Sequence, residues 1–243
     1  MTAIETRDLC RSFGNVRAVD HLNLHVREGE IFALLGVNGA GKTTTIRMLC
    51  GLLKPSAGDA LLLGHSVVRE CAKVKQSINL SPQETAVAGK LTVSENLLLM
   101  AGIYGFSKTD AKGRAEELLD ALGLRDVSTR KAGTLSGGYR RRLSIAMSLV
   151  TRPQILFLDE PTLALDVLSR RALWQFIESL RGKMTVILTT HAMEEAEALS
   201  DRIGILADGK LKSVGTPEAL MQITGTSTLE DAFVSLVSKE ADL

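Results

Sequence analysis

Short apolar runs along the chain alternate with segments whose apolar residues recur every three or four positions. EIFALL at 30–35, ILFL at 155–158 and MTVILT at 184–189 are too short and too uniformly apolar for amphipathic helices, and they read as strands buried on both faces. The first runs straight into GVNGAGK and then into a helix predicted over 43–49. Weaker strand signals lie at 4–9, 60–63 and 77–80, the last ending at Ser81-Pro82-Gln83. Asp208-Gly209 marks a turn between strands predicted at 203–206 and 210–214.

Helical spacing dominates elsewhere. Thr92-Val93-Ser94-Glu95 has capping-box spacing and opens a helix running to about 104, and Ala111, Ala115, Leu118, Leu119 and Leu122 form a stripe stopped by Gly123. No strand is expected there, so residues 84–150 are taken as a mostly helical insertion. A further stripe, Leu173, Phe176, Ile177 and Leu180, precedes the strand at 184–189; helices follow from 192 and from Thr216-Pro217-Glu218. Leu229, Phe233, Leu236 and Val237 give the last helix an apolar face expected to dock on the body. Strand and helix in alternation predict an α/β fold with a mostly parallel sheet covered on both faces. The chain is read as one domain over 1–243.

Composition narrows the partners. With 45% hydrophobic and 23% charged residues the chain is ordinary and globular, and its net charge of +1, from 29 basic and 28 acidic residues, supplies no global field for nucleic acid or an anionic membrane. Cys10, Cys50 and Cys71 are odd in number and lack Cys-x-x-Cys spacing, and no secretory leader is read upstream, so free thiols in a reducing, cytosolic setting are expected. The most apolar run, 97–106, is about half of the ~20 residues needed to cross a bilayer, so work at a membrane would require another chain.

The candidate chemistry is phosphate chemistry. Gly36-Val37-Asn38-Gly39-Ala40-Gly41-Lys42-Thr43, followed by Thr44, matches G-x-x-x-x-G-K-[ST] between a strand and a helix. Its glycines let backbone N–H groups wrap a phosphate, the helix start adds its positive dipole end, Lys42 reaches the β- and γ-phosphates, and the Thr43 hydroxyl is a Mg²⁺ ligand. A triphosphate site also needs a metal-side carboxylate and a group that acts on water. Asp159 and Glu160, at the end of the strand at 155–158, supply them, with Glu160 as the base. His191 follows another strand, at the edge where ligands sit in open α/β sheets. Gln83 is a weaker candidate in a loop.

A second anion-seeking stretch, Leu135-Ser136-Gly137-Gly138-Tyr139-Arg140-Arg141-Arg142, combines a hydroxyl, two glycines and a helix start. In that helix Tyr139, Leu143, Ala146, Met147 and Val150 make one apolar stripe, which leaves the arginines largely toward solvent or a partner. A nucleic-acid patch is disfavoured, since no other basic cluster accompanies the run.

GVNGAGKTT, SPQ, LSGGYRRR, ILFLDE and TTH in that order resemble the ATP-binding subunit of ATP-binding cassette (ABC) transporters over nearly the whole chain. The resemblance implies a P-loop, RecA-like core with a small N-terminal antiparallel part and a helical subdomain. It also implies head-to-tail dimers, in which Ser136, Gly137 and Gly138 close over ATP held by the partner. Phe13 would stack on adenine, Gln83 would reach Mg²⁺ and water while sensing an integral membrane transporter subunit, His191 would contact the γ-phosphate, and Asp166 would couple the two sites. The dimer is homo- or heteromeric, and the location is the cytoplasmic face of the membrane. Val37 replaces the family's usual proline, Tyr139 its common glutamine, and Leu163-Ala164-Leu165 its commoner serine- or glycine-containing loop. The segments at 215–220 and 229–233 resemble export-type members. The alternatives are a soluble ABC-type ATPase acting on DNA or ribosomes, for which the coiled-coil, zinc-binding or second-cassette features are lacking, and a GTPase switch, whose guanine-reading motif is lacking.

Overall fold

The structure, a computed structural model, describes residues 1–238. In chain order its strands and helices are β1 (Thr2–Phe13), β2 (Val16–Leu22), β3 (His25–Arg27), β4 (Ile31–Leu35), α1 (Lys42–Leu49), β5 (Ala57–Leu62), β6 (His65–Ser66), α2 (Cys71–Ser77), β7 (Ile78–Ser81), α3 (Val93–Ile103), α4 (Lys108–Ala121), α5 (Gly137–Leu149), β8 (Ile155–Asp159), α6 (Val167–Glu178), β9 (Thr185–Thr190), α7 (Met193–Leu199), β10 (Arg202–Ala207), β11 (Lys210–Gly215), α8 (Pro217–Thr224) and α9 (Leu229–Ser238).

The main sheet runs β11-β10-β4-β9-β8-β7, parallel throughout except for β11, which returns from β10 through the Asp208-Gly209 turn. Alternating residues of its strands point to two separate cores, as a sheet buried on both faces requires. Ile31, Ala33, Leu35, Leu156 and Leu158 join the core shared with α3 to α7, while Phe32, Leu34, Ile155 and Phe157 join the core under α1 and the smaller sheet. That smaller sheet, β2-β1-β5-β6 with β3 added on β1, is antiparallel.

The helical portion forms as its caps direct. Thr92 accepts from Glu95 N–H while the Glu95 carboxylate accepts from Thr92 N–H, the reciprocal pair that fixes the start of α3. Leu97 and Ala101 of α3, Ala115, Leu118 and Leu119 of α4, and Leu143 and Ala146 of α5 then bury together. Leu173 and Ile177 of α6 are buried with Phe176 and Leu180 packed beside them, as the stripe predicts. Helix α9 docks on the body through Leu229 and Phe233, with Leu236 and Val237 against the same core. No helix among the described residues is long and apolar enough to cross a membrane.

Candidate active site

Every strongly predicted site residue of the main sheet lies at the carboxyl end of a strand. The loop of residues 36–41 leaves β4, Asp159 ends β8, and His191 follows β9, the strand between those two. Gln83 follows β7 at the sheet edge. Parallel strands point all their carboxyl ends one way, so the topology alone gathers these residues along one edge of the sheet.

The cleft, of about 340 Å³, is lined by Asn38, Gly39, Ala40, Gly41, Lys42, Thr43, Thr44, Gln83 and Glu160, with Ala18 of β2 as a wall. Close approach fixes the glycines here. A Cβ on Gly36 would collide with the Leu206 carbonyl oxygen, and Gly41 combines φ +104° with a similar collision against Ala18 O. Lys42 is buried at 6% exposure and donates to the Gly36 carbonyl at 2.7 Å and the Val37 carbonyl at 3.2 Å. Its Nζ also lies 3.3 Å from Glu160 Oε1.

The acid pair is held from β9. Thr189 Oγ1 donates to Asp159 Oδ1 at 2.6 Å and accepts the Glu160 N–H at 3.0 Å. Glu160 turns out of the strand at φ +47°, and its Oε2 accepts from His191 Nδ1 at 2.8 Å. The carboxylate bond places the ring proton on Nδ1 and leaves Nε2 as the remaining polar atom. Thr43 Oγ1 donates to Asp159 Oδ1 at 3.1 Å. Thr43, Asp159 and Gln83 all touch a second cleft alongside, and their hydroxyl, carboxylate and amide oxygens are the hard donors that suit Mg²⁺.

Three further groups of predicted residues lie apart from this cleft. Ser136, Gly137 and Gly138 open α5 but are not among the residues lining this cleft; Ser136 is exposed and its hydroxyl makes no capping bond. Phe13 also lies outside the lining, 49% exposed at the end of β1 with the Arg11 guanidinium 4.6 Å from its ring. Asp166 caps α6, accepting from Ser169 N–H at 2.9 Å and from its hydroxyl at 2.7 Å, bonds that hold its carboxyl below the usual range.

The expectation that the arginine run faces outward is corrected at Arg141. Arg140 is exposed, and Arg142 lies over the Tyr139 ring at 4.4 Å, but Arg141 is 4% exposed. It donates to the Asp159 and Pro161 carbonyls, each at 2.8 Å, and to those of Pro82 and Gln83. Burial pushes its pKa down to about 10, while the charges of Asp159, Glu195 and Glu160 oppose the shift. Helix α5 is enclosed on several sides, and the cation survives there because backbone carbonyls replace its water. Glu195, 2% exposed, accepts from Thr162 Oγ1 at 2.7 Å and Trp174 Nε1 at 3.3 Å, and burial raises its pKa despite those bonds. Arg141 and Thr189 lie inside the LSGGYRRR and TTH stretches but neither stands out there, and Glu195 lies in no motif; a charge inside an otherwise buried helical face is the clue for Arg141.

Comparison with known proteins agrees with this geometry. A family model described as "ABC transporter" matches residues 19–163. The chain is 44% identical over 228 residues to the daunorubicin/doxorubicin resistance ATP-binding protein DrrA of Streptomyces peucetius, covering 93% of this chain and 69% of that one. It is 41% identical over 242 residues to the probable multidrug ABC transporter ATP-binding protein YbhF of Escherichia coli (strain K12), covering 97% of this chain and spanning 42% of that relative's length. Among solved structures, an ATP binding subunit of an ABC transporter superposes with a TM-score of 0.86 at 28% identity, covering 97% of this chain and 99% of the other. The dimeric, post-hydrolysis structure of the ATP-binding cassette MJ0796 bound to ADP and Pi does so with a TM-score of 0.79 at 27% identity, covering 88% of this chain and 98% of the other.

Proposed function

Because the chain belongs to the ABC transporter family, we propose that it is an ATP-binding and ATP-hydrolysing subunit that closes in pairs around two ATP molecules and powers a membrane-spanning partner as an exporter. The whole of 1–243 acts as one domain in this reading, although 239–243 lie outside the described residues. The helical portion at 84–150 is the part that meets the partner, at the cytoplasmic face of the membrane. The names of DrrA and YbhF, drug resistance and multidrug transport, support export over action on DNA or ribosomes. The pair is two copies of this chain or one copy with a related subunit.

One observation carries the shared site. The phosphate loop, the acid pair and His191 share one side of the sheet, whereas the anion cap at the start of α5 contributes nothing to the lining of that cleft. A cap with a free hydroxyl and unpaired helix-start amides suits a phosphate brought by another subunit.

Within the cleft, the N–H groups of 39–44 and Lys42 bind the β- and γ-phosphates. Glu160 takes the proton of the attacking water as its oxygen bonds to the γ-phosphorus and the bond to the β-phosphate oxygen breaks, leaving ADP and phosphate. His191 orients Glu160 through Nδ1, and its Nε2 serves as a donor or acceptor to the γ-phosphate. Thr43, Asp159 and Gln83 would hold Mg²⁺, which would supply neutralisation of the phosphate charge. The partner's serine-glycine cap excludes bulk water from the assembled site, leaving the attacking molecule.

Glu160→Gln tests the reading. The variant is expected to keep ATP binding, to lose at least ~100-fold in turnover, and to accumulate as an ATP-bound dimer in size-exclusion chromatography. A variant that hydrolyses normally and stays monomeric with ATP would overturn both the base assignment and the sandwich.

A further inference from the structure

On the smaller sheet, β1 and β2 pair irregularly beside the cleft. Leu9 faces Leu22 and Arg11 faces Val19, so the single residue Cys10 stands opposite two, Asp20 and His21. Successive residues of a regular strand point to opposite faces, and a two-against-one bulge re-aims one of them. Here the bulge brings a thiol, a carboxylate and an imidazole together, with one ligand atom of each within 4.8 Å of the others. His21 holds φ +46° to do this, a conformation costing on the order of 1 kcal/mol outside glycine.

The surroundings are those of a ligand set. Cys10 is buried at 7% exposure, with its Sγ accepting the His21 N–H at 3.2 Å. His21 Nε2 lies 3.8 Å from Asp20 Oδ1, and its Nδ1 lies 3.6 Å from Asp8 Oδ1. Asp8 is in turn held by Asn23 Nδ2 at 2.9 Å. At 3.6 Å the Asp8–His21 contact is not a hydrogen bond, but it sets Asp8 a short movement from the far ring nitrogen, the position from which carboxylates orient metal-bound histidines. Asp20 also accepts from Arg17 at 2.8 Å, but an exposed pair of this kind contributes only ~0–1 kcal/mol and yields to a metal.

We propose that Cys10, Asp20 and His21 form a transition-metal site suited to Zn²⁺, with Asp8 supporting His21 and water completing the coordination. Sulfur, nitrogen and oxygen donors together match Zn²⁺ and exclude the all-oxygen preference of Mg²⁺ and Ca²⁺. Binding releases the Cys10 thiol proton to solvent, so affinity rises with pH. The ion would cross-link β1 to β2, the strand that carries Ala18 into the wall of the nucleotide cleft. The proposal rests on the bulge and stands whether or not the chain hydrolyses ATP.

Titration of the whole chain with Co²⁺, followed by absorbance, tests it. A thiolate-to-cobalt charge-transfer band is expected, bleached by Zn²⁺, lost in Cys10→Ser and retained in Cys71→Ser. His21→Asn keeps a residue that tolerates left-handed backbone, so it is expected to stay folded and to bind Zn²⁺ at least ~10-fold more weakly; Asp8→Asn should weaken binding by roughly the same factor. No band in the wild-type chain, a band that survives Cys10→Ser, or wild-type Zn²⁺ affinity in His21→Asn would overturn the proposal.

Discussion

Lys42 has partners before any nucleotide arrives, and this sets the sign of a binding experiment. Its Nζ sits 3.3 Å from Glu160 Oε1, and both side chains are nearly inaccessible, at 6% and 8% exposure. At an effective dielectric of about 20 the gross attraction at this separation is ~5 kcal/mol. Desolvation of the two charges offsets most of it, leaving a net ~1–2 kcal/mol that a phosphate must displace. Glu160→Gln removes this competition, so the variant is expected to bind ADP about tenfold more tightly than the wild type. Lys42→Met removes a charge-assisted phosphate contact of ~2–3 kcal/mol, a loss of roughly 30- to 150-fold. In the double variant Glu160→Gln should improve binding far less, because no ammonium remains to be released. Isothermal titration calorimetry with ADP, which has no γ-phosphate to hydrolyse, reads all four corners of the cycle. Equal ADP affinity in wild type and Glu160→Gln, with both folded by circular dichroism, would refute the competition argument.

Three other outcomes follow from the same geometry. Arg141→Met orphans the buried Asp159 and Pro161 carbonyls, and after the return of the cation's desolvation cost it should lower the unfolding free energy by ~1–3 kcal/mol while speeding amide exchange around Gln83; denaturation and exchange profiles matching wild type would contradict it. Glu195 has a folded pKa above its unfolded value, so the native state holds the proton more tightly and stability falls as pH rises from about 4.5 through the folded pKa. Glu195→Gln should remove that slope and be the more stable chain at neutral pH; denaturation midpoints across pH that parallel wild type would count against the burial argument. Ser136→Arg should leave ATP binding to the monomer unchanged yet abolish the dimer trapped by Glu160→Gln, and a dimer persisting in light scattering of the double variant would sink the shared cap.

What the sequence disclosed depended on how strongly burial marks it. The runs in β4, β8 and β9 are apolar on both faces and were legible as buried strands, and so was the phosphate loop between β4 and α1. Strands β2 and β3 were not: their residues alternate weakly between exposed and buried, because each lies in a small antiparallel sheet with one side open. Helix α2 buries only Val74 and leaves almost no periodic trace. The strand order β11-β10-β4-β9-β8-β7 is a matter of crossovers, which no local pattern records. At the site the phosphate loop, Gln83, Asp159, Glu160 and His191 all lie at the carboxyl end of the main sheet, but Thr189 reads as one more strand threonine. Arg141 hides in a run of arginines whose ordinary fate is solvent; only its four carbonyl partners, from the last residue of β8 and the loops after β7 and β8, reveal it.

That same guanidinium bears on how two ATP molecules could feel one another. In the proposed sandwich it rides on the helix whose beginning would cap one ATP, and it grips the backbone at Asp159 and Pro161, on either side of Glu160, beside the other. A rotation of the helix as it meets a neighbour's phosphate would therefore tug on the chain's own acid pair. Crosstalk between the proposed paired sites would then need no relay through a membrane partner, since a single side chain inside each subunit would act as the linkage.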